Sequence, residues 1–377
     1  MLHFFFFTIV CSMLFMFHRK IGFLFMILGV SYFLLVLPTT GMDYEIYQQA
    51  FDGAYLSNSY PFFKTRSILT AEPFYLWYNS FWGVVLPFGF PVFLMVNFII
   101  CIGISILAFR KFQNYVLPIF WLMFLPVILP TIFYFSPRSS ISFFLLLYGI
   151  TMLFQRKYVV AAILIFGGCM AHSQYLPIAF LTIITYVILN RYPLNTKIYN
   201  NFILITSIGL FFLLRLMDQI SSFITSALSF LPSIAIITSK MNYFETDAAS
   251  TGFRVTSILS VVIYPYLAFQ IKQRVFNQKE NLFLNSTMSK MTEKMFAYFL
   301  FALMAYGAVI NLAFLETPHV AGRLARLSDY IGMGLIMPLY FRSIINEFAV
   351  KWIILIFCIL APILYATLYL NVSWHIF

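Results

Sequence analysis

Residues 39–77 read TTGMDYEIYQQAFDGAYLSNSYPFFKTRSILTAEPFYLW and separate long apolar runs on either side. Four of the chain's twelve acids, Asp43, Glu45, Asp52 and Glu72, fall in this interval, although only 9% of the 377 residues are charged and the formal net charge is +11. Outside it, apolar surface dominates: 62% of residues are hydrophobic and 20% aromatic, with 47 Phe. One soluble globule of this length has no interior large enough to hide that much apolar surface, so the chain reads as a polytopic, all-α membrane protein. Its four cysteines, Cys11, Cys101, Cys169 and Cys358, lie singly inside apolar runs, without the spacing of a metal site or a disulfide framework. The Lys and Arg residues come in short pairs between apolar runs, which is the pattern of membrane topology and not of a nucleic-acid groove.

About 20 apolar residues span a bilayer as helix. On that rule twelve transmembrane helices are expected, at 2–17, 21–38, 90–109, 115–135, 138–154, 158–170, 175–189, 200–217, 254–271, 295–315, 322–341 and 352–370. Residues 73–89 read as a short interfacial helix and 219–235 as a re-entrant or surface helix. Arg19 and Lys20 follow the first apolar run instead of preceding it, so no cleaved signal peptide is read. The positive-inside rule then sets sidedness. Alternate connections hold 15 of the 23 basic residues against three acids, while the other face holds 8 basics and nine acids. Both termini and residues 39–77 are therefore expected outside. The expected organisation is a single integral membrane domain over 1–377, with an outer loop and interfacial helix at 39–89, an outer loop or re-entrant segment at 218–253, and a cytoplasmic loop at 272–294.

The polar residues of the outer side carry the functional signal. Gly41-Met-Asp43-Tyr44-x-x-Tyr47 opens the first outer loop, and Glu72-Pro73 closes it. Pro73 marks a helix start with Thr70 as N-cap, where an acid such as Glu72 also suits the positive helix end. Ser136-Pro137-Arg138 marks another start, but a cation there opposes the helix dipole unless an anion lies beside it. The plain alternative for Arg138 is snorkelling to lipid headgroups. His172, in Ala171-His172-Ser173-Gln174, is a packing residue or a polar site residue, and no second His or Cys accompanies it at metal spacing. Arg254 begins a later helix. Arg323, Arg326 and Tyr330 fall on one face of the helix entering 322–341, and arginines there need a wet cavity or an acid partner, for which Asp329 and Asp43 are available.

With these marks in order from residue 41 to residue 330, the chain resembles the EpsG/Wzy family of bacterial polysaccharide polymerases. The resemblance rests on Gly41–Tyr47, Glu72-Pro73, Arg138, His172-Ser173 and Arg323…Arg326…Tyr330. It implies a GT-C-type glycosyltransferase in the bacterial cytoplasmic (inner) membrane, with its active site facing outward. The implied substrates are undecaprenyl-pyrophosphate-linked oligosaccharides, the implied product O-antigen, lipopolysaccharide or exopolysaccharide chains, and a further implied partner a chain-length regulator. Expelling a pyrophosphate calls for cations, for which Arg138, Arg323, Arg326 and Arg254 are suited. The acceptor hydroxyl calls for a base. Asp43 and Glu72 are the carboxylates that the resemblance places there, with His172 a third candidate; Asp43 is expected to be the base, with Glu72 or His172 orienting the sugar. Tyr44, Tyr47 and Tyr330 are suited to contact sugar rings. No metal motif occurs in the outer loops, so metal-independent catalysis without a cofactor is expected. A flippase would distribute polar residues along a path from both faces, whereas here they gather at the outer ends. An O-antigen ligase shares the donor and stays an alternative.

Overall fold

The computed structural model describes residues 2–36, 44, 47–49, 51–52, 72–86, 88–110, 133, 136–192, 195–216, 258–278, 289–314, 321, 324–337, 339–340, 352, 356 and 360. Every regular element among them is helical. Ten of the twelve apolar segments carry helix in the described residues, while 115–135 and 352–370 lie essentially outside them. Among the described residues, five helices are long and apolar enough to cross a membrane: Phe90–Phe109, Pro137–Phe154, Ser173–Arg191, Thr196–Arg215 and Lys290–Ala313. Lys20–Val36 and Tyr158–Ala171 are shorter apolar helices. The segment expected at 218–253 and residues 279–288 of the loop expected at 272–294 also lie outside the described residues.

The chain divides into two compact units, one holding 1–176 with 283–288 and 341–377, the other 177–282 and 289–340. In the first, α1 (Leu2–Phe17) and α2 (Arg19–Val36) pack together, and α2 packs on α4 (Phe90–Phe109). Between them in sequence comes α3 (Pro73–Val85), whose 13 residues make about 20 Å of helix, too short for a bilayer core of about 30 Å. Its half-exposed Trp77 stacks on Phe81, an aromatic surface suited to the membrane interface. The helix starts where Pro73 requires, but the N-cap is Glu72 and not Thr70, which lies outside the described residues.

The centre of this unit is the hairpin of α5 (Pro137–Phe154) and α6 (Tyr158–Ala171). Small residues bring the two backbones together. A side chain at Gly149 would meet Ile165 Cγ1 at 2.7 Å and the Ala161 carbonyl at 3.3 Å, and one at Gly168 would meet Leu146 Cγ at 2.9 Å. Ser142 Oγ donates to the Gly168 carbonyl at 2.6 Å, closing the same crossing. Because α5 runs away from Pro137 and α6 returns to Ala171, residues 138 and 172 arrive at the same end of the hairpin.

In the second unit, α7 (Leu176–Arg191), α8 (Thr196–Arg215) and α10 (Lys290–Ala313) share a buried hydroxyl cluster, with Tyr306 Oη 2.9 Å from Thr185 Oγ1 and 3.1 Å from Thr206 Oγ1. Helix α9 (Tyr264–Gln273) lies between π-helical turns at Leu259–Ile263 and Arg274–Gln278, and α11 (Arg326–Ile331) runs into another at Gly332–Ile336. Lys272, the first cation of the expected cytoplasmic loop, is buried among the rings of Phe269, Tyr298 and Phe301, 4.4–4.8 Å from each centre.

The hairpin predicts a substitution pattern. Gly149→Val should lower the melting temperature of the detergent-purified protein by the equivalent of about 1–3 kcal/mol of overpacking. Gly103→Ala, where an added methyl meets nothing within 4 Å, should leave it unchanged or raise it.

Candidate functional site

At the shared end of the hairpin, three ionisable side chains from three helix termini converge. Glu72, at the N-cap of α3, sends one carboxylate oxygen to Arg138 and the other to His172: Arg138 Nη1 lies 2.7 Å from Oε2, and His172 Nδ1 lies 2.8 Å from Oε1. Glu72 and His172 are each 2% exposed and the Arg138 side chain 21%. The cap itself is made by backbone alone, the Glu72 carbonyl accepting from Leu76 N–H at 3.0 Å. The carboxylate makes no cap hydrogen bond, so the simple capping role does not describe it. The same holds for Ser136 at the start of α5, whose hydroxyl pairs with Ser139 Oγ at 2.7 Å. Arg138 therefore has its anion, and that anion is Glu72.

His172 is held from both sides. Its N–H bonds to the Gly168 carbonyl at 3.1 Å, ending α6, and its own carbonyl accepts from Tyr175 N–H at 3.1 Å in the turn Ser173–Tyr175. The Tyr175 ring meets the imidazole edge-on at 5.6 Å. Burial raises the Glu72 pKa, but the hydrogen bond and charge of His172 and the charge and hydrogen bond of Arg138 outweigh it, holding the carboxyl at about 2 instead of 4.5. An ionised carboxylate only accepts, so Nδ1 of His172 carries the proton of the shared bond. In the neutral ring Nε2 is then the basic nitrogen.

Tyr47 completes the cluster. Its ring lies under the Arg138 guanidinium, 5.6 Å from centre to Cζ, and meets Tyr75 edge-on at 5.5 Å. A second buried chain sets the start of α5: Tyr78 Oη donates to Asn97 Oδ1 at 3.2 Å, Asn97 Nδ2 to Ser140 Oγ at 2.7 Å, and Ser140 Oγ to the Pro137 carbonyl at 2.6 Å. Sequence reading missed Asn97 and Ser140. An isolated amide inside FPVFLMVNFIICIGISILAF was the available signal, since such residues within a span are costly unless bonded.

Tyr44 packs edge-on against Phe90 at 5.1 Å. Arg326 and Tyr330 are in α11 of the second unit, Tyr330 buried and Arg326 half-exposed. In that helix Asp329, within electrostatic reach of Arg326, accepts from Ser260 Oγ at 2.6 Å. Asp43, Arg254 and Arg323 lie outside the described residues. No group of three or more His, Cys, Asp or Glu among the described residues has a metal-binding arrangement.

The EpsG family model matches residues 20–375, nearly the whole chain. No curated protein and no solved structure matches it.

The Glu72 pairing predicts pH-dependent stability. A carboxyl whose pKa is depressed on folding contributes stability fully above its unfolded value, near 4.5, and loses it as pH falls toward 2. The melting temperature should therefore drop as pH is lowered from 5 to 3. Glu72→Gln should melt lower at pH 7, by the equivalent of about 3–5 kcal/mol for breaking a buried pair, and show a shallower acid decline. Equal melting of the two proteins at pH 7 would remove the pair from the stability of the fold.

Proposed function

The chain belongs to the EpsG family, a membership that carries a general role in polysaccharide polymerisation, and from it we propose a specific transfer reaction. The protein is a membrane glycosyltransferase that moves a growing glycan from undecaprenyl pyrophosphate to a sugar hydroxyl of another lipid-linked repeat unit, at the outer face of the bacterial cytoplasmic membrane. The observation that carries this reading is the buried carboxylate of Glu72 shared between Arg138 and His172.

Each side chain has a defined task. The bond from the anomeric carbon to the pyrophosphate oxygen breaks, the leaving pyrophosphate keeps the electron pair, and the acceptor oxygen bonds to the anomeric carbon. The acceptor proton goes to Nε2 of His172, whose tautomer Glu72 fixes. Arg138, with its planar set of donors, binds the phosphate oxygens. Glu72 is thus a positioning residue: ionised, and with both oxygens engaged, it is a poor base. Asp43 supplies a second carboxylate for the acceptor, and Tyr47 a contact to sugar. The reaction runs without a metal, and a chain-length regulator sets product size.

The test is glycan analysis of a deletion strain complemented with variants. The null strain should leave single repeat units on the lipid carrier. Long polymer retained on the carrier would instead mean ligation, and units stranded inside would mean flipping. His172→Ala should cut polymer formation by about 10²–10⁴-fold, the usual contribution of a base, at unchanged expression. Arg138→Lys should retain little activity if the phosphate contact is bidentate. Full-length polymer from both variants would exclude the assigned roles. Transfer by purified protein in EDTA should persist, and its loss with rescue by a divalent cation would sink the metal-free reaction.

A further inference from the structure

Along α3, immediately beyond Glu72, three polar side chains are wholly buried and each has an atom with no hydrogen-bond partner: Tyr75 Oη, Asn79 Oδ1 and Ser80 Oγ. Tyr75 and Asn79 are one helical turn apart on the same face. Both touch Tyr47, Tyr75 through its ring edge at 5.5 Å and Asn79 through its amide, which donates Nδ2–H to the Tyr47 carbonyl at 3.3 Å. Tyr47 in turn lies under Arg138, and the Tyr75 hydroxyl is within electrostatic reach of Arg138 and Glu72. The unpartnered atoms of Tyr75 and Asn79 therefore adjoin the charged cluster, and Ser80 follows Asn79 in the same helix and unit.

Their chemistry narrows the occupant. A buried polar atom that leaves water without a replacement partner destabilises the fold, so a short helix bearing three of them is costly for structure alone. The amide orientation of Asn79 is fixed by its bond to a carbonyl: with the two ends exchanged, oxygen would face oxygen. Oδ1 can consequently only accept. An anion such as phosphate, which offers acceptors, fits Arg138 and not this position. A hydroxyl-bearing ring fits, since it donates to Asn79 Oδ1 while exchanging hydrogen bonds with the Tyr75 and Ser80 hydroxyls.

We propose that Tyr75, Asn79 and Ser80 form a sugar subsite beside the Arg138–Glu72–His172 cluster, reading hydroxyls of a repeat-unit ring. This rests on the polymerase reading and deepens it, because it names the residues that select which glycan is joined. Selection of this kind is strong, since a ring lacking the matching hydroxyl leaves the buried groups unpaired.

Tyr75→Phe and Ser80→Ala each delete only an unpartnered oxygen, which separates binding from folding. The probe is lipid-linked repeat units extracted from a strain lacking this protein, used with the full-length chain in detergent. Both variants should melt no lower than wild type without the probe, lose the probe-induced rise in melting temperature, and raise KM for the probe by roughly tenfold with a smaller change in kcat. A soluble, delipidated repeat unit added as acceptor locates the ring: a raised KM for it assigns the subsite to the acceptor sugar, and an unchanged one, with KM raised for the lipid-linked unit, assigns it to the donor. Lower melting of either variant without probe, or unchanged KM and probe shift in both, overturns the subsite. Wild-type protein that is stabilised by the probe but transfers nothing refutes the polymerase reading, and the variants' probe shifts then decide the subsite separately. Wild-type protein neither stabilised nor active refutes both.

Discussion

A carboxylate held at 2% exposure is the constraint on which the first unit depends. Removing an ion from water costs several kcal/mol even after the protein relaxes, and only close, directional partners repay it. Glu72 has two such partners at 2.7 and 2.8 Å, one per oxygen. They come from the start of α5 and the end of α6, so satisfying one side chain ties three helix termini together. Neither Arg138 nor His172 can move by the width of a hydrogen bond without stranding that charge.

Precision of this kind needs a rigid support, and the hairpin provides it. Gly149 and Gly168 let α5 and α6 approach until side chains larger than hydrogen would overlap their neighbours, which fixes where residues 138 and 172 stand relative to one another. The buried chain from Tyr78 through Asn97 and Ser140 to the Pro137 carbonyl then ties α3 and α4 to the first turn of α5. Among apolar surfaces, which pack in many nearly equal ways, such hydrogen bonds select one arrangement. The same device recurs in the second unit, where Asp329 on α11 meets Ser260.

What was legible in the sequence follows from the range of each force. Apolar length and proline position act locally, and the starts of α3 at Pro73 and α5 at Pro137 stand where those rules place them. Glu72, Arg138 and His172 were recognisable as polar residues at span ends, but not as one cluster, because the pairs lie 66 and 100 residues apart. Glu72 was also ambiguous for a physical reason: an acid before a helix serves the dipole equally well, and only its side-chain geometry shows that it turns away from the helix. Tyr75 and Asn79 gave no signal, since an aromatic and an amide on a short interfacial helix are ordinary until their hydrogen bonds are counted. The sequence expected Tyr44 and Tyr47 to act alike, yet Tyr47 is enclosed by Arg138 and Tyr75 while Tyr44 packs on Phe90.

The charge of the cluster changes with the proposed reaction in a useful direction. In the proposed reaction His172 would enter as the neutral ring, so that Arg138 and the ionised Glu72 cancel and the group carries no net charge. Such a site would neither trap a departing pyrophosphate nor strongly repel other ligands. In that proposal the acceptor proton would make His172 an imidazolium 2.8 Å from Glu72, and the group as a whole would become +1 as negative charge develops on the leaving oxygen. In a water-poor site this late-arriving charge is worth more than a permanent one, since it favours the transition state over the bound substrate. Glu72 makes that possible: without it Arg138 would bind phosphate strongly at every stage, and the His172 imidazolium would have no carboxylate to stabilise it.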